Sequence, residues 1–372
     1  MIVSVALAIL LDAASTTVLG PPGTVLDARP VPAPQPFARA WKIRYVSTGL
    51  DGAPIAVSGD VIAPAGPGKN RPVVAWAHPT SGIAKDCAPS LRGPGFSWIS
   101  GLKDALAHGY VVTATDYPGL GSDGMHPYLV GISEARAVID SVRAAHNLRV
   151  TGAGTRYIPW GHSQGGHASL WTAQIARAYA PDLELVASAA AAPPTDLYDI
   201  VRYHVDKNGN RILAAYTLKS WSVVYAAPLA PILDAASIRK LDVVAKTCIQ
   251  TKLDTYRALL GNVLLGAKFL SEKLHRNPTW NALFAKNTPA LAPAGTPYFI
   301  AQGSEDRIVP PATTARYAQR LCDTKHPLAY LRLPGGGHVS TGDDSASAAV
   351  AWMADRFAGK APRNDCAAKP WL

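Results

Sequence analysis

A serine hydroxyl is inert on its own and becomes a nucleophile when an imidazole and a carboxylate stand behind it, and this chain offers all three at the ends of β-prone segments. In RYIPWGHSQGGHASLW, residues 156–171, Ser163 has one glycine two positions before it and another two positions after it. Tyr157, Ile158 and Trp160 lead in as a strand would, and helix-prone residues from His167 to Tyr179 lead out. Strand, sharp turn and helix in that order make an elbow. Its glycines remove Cβ atoms where the two backbones crowd, and its strained turn holds the serine Oγ out over the sheet edge. The alternative is an ordinary serine at the start of a helix, because G-x-S-x-G also arises by chance in glycine-rich chains.

A base must take the serine proton and a third group must orient that base. His162 is too tightly tethered, since neighbours on an elbow point different ways, and it reads as a packing residue. His167, four residues along the helix, reads as structural. His338 is the candidate base, closing LPGGGHVS, where three glycines free a loop to swing an imidazole back over the strand ends. Asp306 is the candidate acid, just past the strand in TPYFIAQGSEDRIVPP. Glu305 and Asp196 compete with it, and a helix-capping role before Pro310 is its structural alternative.

Attack on a carbonyl also puts negative charge on oxygen, which needs fixed N–H donors. The backbone N–H of Gln164, at a helix N-terminus, is one candidate. The second belongs to the loop in AHPTSG. Pro79 has no N–H, so Thr80 or Ser81 must supply it, and Thr80 is preferred.

These groups require a scaffold that delivers strand ends to one place. WKIRYVST and PIAVSGDVIAP read as a hairpin of edge strands around Asp51-Gly52, and RPVVAWAHPTSG as a buried parallel strand. A helix over Ser97 to His108, the strand YVVTATDYPGLG, a helix over Ile132 to Asn147, the elbow, and the strand LELVASAAAAPP follow. The alternation breaks from about Tyr198 to Leu291, where helical signals dominate. It resumes with TPYFIAQG, a helix from Ala312 to Cys322, PLAYLRLPGGGH, and a helix from Asp343 to Ala358. Repeated βα units predict a mostly parallel sheet with helices on both faces and sites at the carboxyl ends of strands.

The expected organisation is therefore a signal peptide or its remnant at 1–20, a Pro-rich, weakly ordered leader at 21–40, a core at 41–197 and 292–358, a helical insertion at 198–291, and a tail at 359–372. The N-terminal apolar run from Ile2 to Leu11 is too short to cross a bilayer and lacks a basic start, and a buried first strand is its alternative.

With 372 residues and 48% hydrophobic content, the chain can bury a large core. Its net charge of +10 is scattered without Lys/Arg runs, which argues against a nucleic-acid partner. A cationic soluble protein is the plain reading, and attraction to anionic lipid or cell-wall surfaces the sharper one. No metal-ligand spacing and no phosphate-binding glycine loop appears, so no cofactor is expected. DKNGNR, from Asp206, has Arg211 and Thr217 where a calcium loop needs Gly and Glu, and it reads as a surface turn.

Cys87, Cys248, Cys322 and Cys366 match no redox or zinc motif. In an exported chain they read as two disulfides. Cys322 with Cys366 would tie the tail to the body, and Cys87 with Cys248 would fasten the insertion to the core. Four free thiols in a cytosolic protein is the alternative.

The segments VVAWAHPTSGIAKDCAPS, TATDYPGLGSDGMHPYLVG, GHSQGGHASLW, GSEDRIVPP and GGGH resemble the secretory lipase family, α/β-hydrolases that include yeast secreted lipases and many actinobacterial proteins. The matches run from about residue 40 to 358, and Ser163, Asp306 and His338 fall in the α/β-hydrolase order. The resemblance implies that fold with a helical cap, an exported triacylglycerol lipase or carboxylesterase, and the same three catalytic residues. Relatives commonly carry Gly where this chain has Pro79, so an altered oxyanion loop is expected.

Ester hydrolysis through an acyl-enzyme on Ser163 is thus the leading expectation, with a small-molecule or lipid ester as partner, a lipid interface as a second surface, and a secreted or envelope-associated location. Acyl transfer by the same triad is the alternative within that chemistry. A low-turnover lipid-binding protein on a hydrolase scaffold is the alternative outside it. Acyl chain length and oligomeric state are not readable from the sequence.

Overall fold

The computed structural model describes residues 20–92, 95–206, 211–266, 269 and 272–371. The expected signal segment lies outside them apart from its last residue, as does most of the DKNGNR turn. Among the described residues ten strands form one sheet: β1 (Val25–Val31), β2 (Ala38–Thr48), β3 (Pro54–Pro64), β4 (Arg71–Ala77), β5 (Val111–Thr115), β6 (Ala153–His162), β7 (Glu184–Leu185), β8 (Ser188–Ala191), β9 (Tyr298–Gly303) and β10 (Leu328–Leu333). Their order is β1-β2-β3-β5-β4-β6-β8-β9-β10, with β7 beside β6. The β1, β2, β3 and β5 neighbours pair antiparallel, and from β5 through β4 to β10 every pairing is parallel.

The Pro-rich leader is not weakly ordered. Its residues 25–31 form the edge strand β1 against β2, with Pro30 where an edge strand tolerates a residue lacking N–H. The β2–β3 hairpin is correspondingly interior to the sheet rather than at its edge. Local composition hid this, because an edge strand is set by its partner more than by its own propensity.

The parallel strands are buried on both faces, which explains their continuous apolar runs. In β4, Val73, Ala75 and Ala77 face one core while Val74 and Trp76 face the other. Helices α1 (Leu102–Ala107), α2 (Gly131–Asn147) and α3 (Gln164–Tyr179) belong to the first half. Between β8 and β9 lies an insertion, called the cap below, of α4 (Leu197–Asp206), α5 (Arg211–Val224), α6 (Ala235–Val244), α7 (Lys252–Leu265), α8 (Glu272–Arg276) and α9 (Pro278–Asn287), and α10 (Pro311–Asp323) and α11 (Thr341–Phe357) follow it. α2 and α3 pack over the first face and α1 and α11 over the second.

The cap helices share an apolar cluster built on Trp221, Trp280, Phe284 and Tyr216, joined by Ile83, Tyr128 and Val130 of the body, with the two indole rings stacked at 6.2 Å. Burying side chains of this size stabilises by about 1.5–3 kcal/mol each. Two disulfides are present, Cys87–Cys248 and Cys322–Cys366. The first joins the loop after β4 to the α6–α7 connection, where Ile249 N–H also donates to Ser81 O and the Gln250 side chain to Cys87 O. The second ties the tail to α10, where Asp365 accepts from Tyr330 N–H and Trp371 is buried. Among the described residues no helix is long and apolar enough to cross a membrane.

Candidate active site

β6 delivers Ser163 at φ 56°, ψ −119°, the strained conformation of an elbow between strand and helix. The flanking glycines are required by contact. A Cβ on Gly161 would lie 2.2 Å from the Gly165 carbonyl oxygen, and one on Gly165 would lie 1.8 Å from the Ala77 oxygen. Ser163 occupies the N-cap position of α3 but makes no capping bond with its side chain. Its Oγ lies instead 2.8 Å from His338 Nε2.

His338 stands in the loop between β10 and α11, and its Nδ1 lies 2.8 Å from Asp306 Oδ2. A carboxylate can only accept, so Nδ1 carries the hydrogen and Nε2 is left to accept from the serine hydroxyl. Asp306 is buried past the end of β9. Its carboxylate also accepts from Gln302 Nε2 at 3.0 Å and from the N–H groups of Ile308 at 2.9 Å and Val309 at 2.8 Å. Burial alone would push its pKa up, but the His338 imidazole and these two N–H groups outweigh burial and hold it below the usual carboxylate value. Asp196 is engaged elsewhere, accepting from Asp199 N–H and facing Arg316 at 3.8 Å, and Glu305 is exposed.

The loops carrying acid and base are fitted to each other. A Cβ on Gly303 would lie 2.3 Å from Gly336 O, Glu305 N–H donates to Gly336 O, and Gly335 N–H donates to the Ser304 hydroxyl. His162 does more than pack. Its Nε2–H donates to the His338 carbonyl at 2.9 Å, and burial, followed by the neighbouring His338, lowers its pKa to about 3, so the ring stays neutral. Sequence reasoning missed this bond because its acceptor is a backbone atom 176 positions away.

The Thr80 hydroxyl is 2.8 Å from the Tyr128 hydroxyl, and the Gln164 side chain donates to Glu134 Oε1 at 2.8 Å and to His126 Nε2 at 3.0 Å. Glu134, His126 and Tyr128 gave no sequence signal, since a glutamate in a helix usually marks a solvated face. A cavity opens at Ser163 and Gln164 and runs under the cap. Its walls are largely apolar, with Leu197, Ile200 and Val201 from α4, Leu213 from α5, Phe284 from α9 and Ile308 from the acid loop. Among the described residues no three His, Cys, Asp or Glu side chains cluster as metal ligands.

A parallel sheet with a serine elbow, an acid after a later strand and a histidine after the last is the α/β-hydrolase architecture. A family model of the secretory lipases matches residues 99–365, and the chain belongs to that family. It is accordingly a carboxylic ester hydrolase of a secreted group, with lipid esters as its class of substrate.

The chain is 28% identical over 363 residues to a Mycobacterium tuberculosis protein described as a probable inactive lipase, covering 91% of this chain and 79% of that one. It is 25% identical over 354 residues to a secreted triacylglycerol lipase of Malassezia globosa, covering 86% and 71%. Among solved structures it resembles Candida antarctica lipase A (TM-score 0.75, 21% identity, 93% of this chain and 84% of that one). It also resembles LipA, a rice cell wall degrading esterase of Xanthomonas oryzae (TM-score 0.75, 22% identity, 92% and 100%). At these identities the solved structures speak for the fold.

Proposed function

We propose that this protein hydrolyses lipid esters through an acyl-enzyme on Ser163. Ser163 Oγ attacks the ester carbonyl as His338 Nε2 takes its proton, and Asp306 keeps the ring in the required tautomer and stabilises the imidazolium. The negative charge that forms on the carbonyl oxygen is met by the N–H of Gln164, aided by the α3 dipole, and by that of Thr80. His338 returns the proton to the leaving alcohol, and a water activated by the same ring cleaves the acyl-enzyme. The cavity beneath the cap holds the acyl chain, with an apolar wall matching an apolar substrate.

The observation that carries this reading is a serine that opens a helix without capping it and gives its hydroxyl to a buried histidine–aspartate pair. The decisive experiment is a panel of p-nitrophenyl esters from acetate to palmitate, run on the wild-type chain and on Ser163→Ala. Loss of at least about 10³-fold in turnover with an unchanged thermal midpoint is expected. A wild-type protein that binds lipid, turns over none of the esters and takes no fluorophosphonate label would instead be a binding protein on a hydrolase scaffold.

A further inference from the structure

We propose that Glu134 is a positioning residue for the oxyanion hole, setting both of its candidate donors, Gln164 and Thr80, from a single buried carboxylate. The inference deepens the Ser163 reading above and rests on it.

Glu134 lies in the first turn of α2 and is fully buried. Its Oε1 accepts from Gln164 Nε2 at 2.8 Å and from the backbone N–H of Leu129 at 3.0 Å, and its Oε2 faces His167 Nδ1 at 2.8 Å. The first bond fixes the side chain of the residue whose own N–H is the first candidate oxyanion donor. The second holds Leu129 at φ 52°, a left-handed conformation that a leucine adopts only when its surroundings impose it. Leu129 adjoins Tyr128, whose hydroxyl is 2.8 Å from that of Thr80. Gln164 thus reaches the carboxylate directly, and Thr80 reaches it through the Tyr128-Leu129 segment.

A lone carboxylate beside a developing oxyanion would oppose catalysis, and an unpaired buried charge is strongly destabilising. His167 partners the second oxygen of that carboxyl. Its Nδ1 lies 2.8 Å from Glu134 Oε2 while its Nε2 lies 2.7 Å from the Asn287 carbonyl oxygen, so the carboxyl is hydrogen-bonded on both oxygens. His126 completes the shell as a neutral acceptor. Its Nδ1–H goes to Pro118 O and its Nε2 receives from Gln164, while burial lowers its pKa to about 4.

The test uses the full chain with Glu134→Gln and Tyr128→Phe. The measurements are kcat and KM on p-nitrophenyl butyrate, the inhibition constant of a phenylboronic acid that forms a tetrahedral adduct on serine, and the thermal midpoint. Misaligned oxyanion donors weaken the tetrahedral state and leave the ground state alone. Glu134→Gln should therefore lower kcat by about 10–100-fold, raise the boronate constant in step, and leave KM within about threefold. Tyr128→Phe keeps its ring contacts and its backbone bonds to Ser220 and Trp221, so it should fold normally and lose about three- to tenfold in kcat with the same signature.

A folded Glu134→Gln protein whose kcat and boronate affinity stay within about twofold of wild type makes Glu134 a structural residue and overturns the proposal. Should that variant not fold, Tyr128→Phe decides alone: parallel losses support the proposal and unchanged values overturn it. Failure of the underlying Ser163 reading looks different, as a wild-type chain that neither cleaves the ester nor binds the boronate, and it would remove both.

Discussion

Gly165 and Ala77 approach so closely that a Cβ on the glycine would meet the alanine carbonyl oxygen at 1.8 Å. The turn that presents Ser163 is thereby pressed against the end of β4, and no side chain fits between them. Gly165→Ala should lower stability by about 3 kcal/mol, read by urea denaturation, and abolish ester turnover in whatever fraction folds. A variant with the wild-type midpoint and activity would show that the contact is not required.

Asp306→Asn should leave the fold intact, because the remaining oxygen still accepts from the N–H groups of Ile308 and Val309. It replaces an acceptor with a group that can donate to Nδ1, and so favours the wrong tautomer of His338. Turnover should fall by about 10⁴-fold with KM little changed, measured by initial rates at several substrate concentrations. A loss under tenfold would mean that another carboxylate orients the ring.

Asp60, buried in β3, makes a pH-dependent contribution to stability. Burial, with the nearby Asp116 adding to it and Lys42 opposing it, raises the carboxyl from 3.8 to about 7. The unfolded chain loses this proton at the ordinary carboxyl value, whereas the folded chain keeps it until about 7. Stability therefore falls as pH rises from about 4 to about 7 and then levels off. Asp60→Asn removes this component, so its thermal midpoint relative to wild type should climb across that interval. A difference independent of pH would rule the assignment out.

Removing the Cys322–Cys366 bridge, which closes a loop of 44 positions, should destabilise the chain by about 2–4 kcal/mol. Activity at 25 °C should persist, since the bridge ties the tail to α10 and contributes nothing to the triad. Circular dichroism melts of Cys322→Ser/Cys366→Ser, paired with ester assays, check both halves of this expectation. Loss of turnover in a fully folded variant would count against it.

Features with a local physical cause were legible in the sequence. The elbow needs glycines at fixed offsets from Ser163, and β4 needs an unbroken apolar run because both its faces are covered. The arrangement of acid and base followed from the same logic, since both lie just beyond strands of one parallel sheet. What stayed hidden depends on partners distant in the chain. β1 exists because β2 offers an unpaired edge, although its own residues are rich in proline. The bond from His162 ends on a carbonyl across the site. Glu134 drew no reading and His167 read only as structural, because only the packing of α2 against α3 joins them.

The Cys87–Cys248 bond bears on how substrate gains entry. The covering helices leave the body at Leu197, rejoin it after Asn287, and are riveted a third time midway between, beside Ser81. A structure standing on three feet cannot swing outward as one rigid leaf about its two chain crossings while that bond is intact.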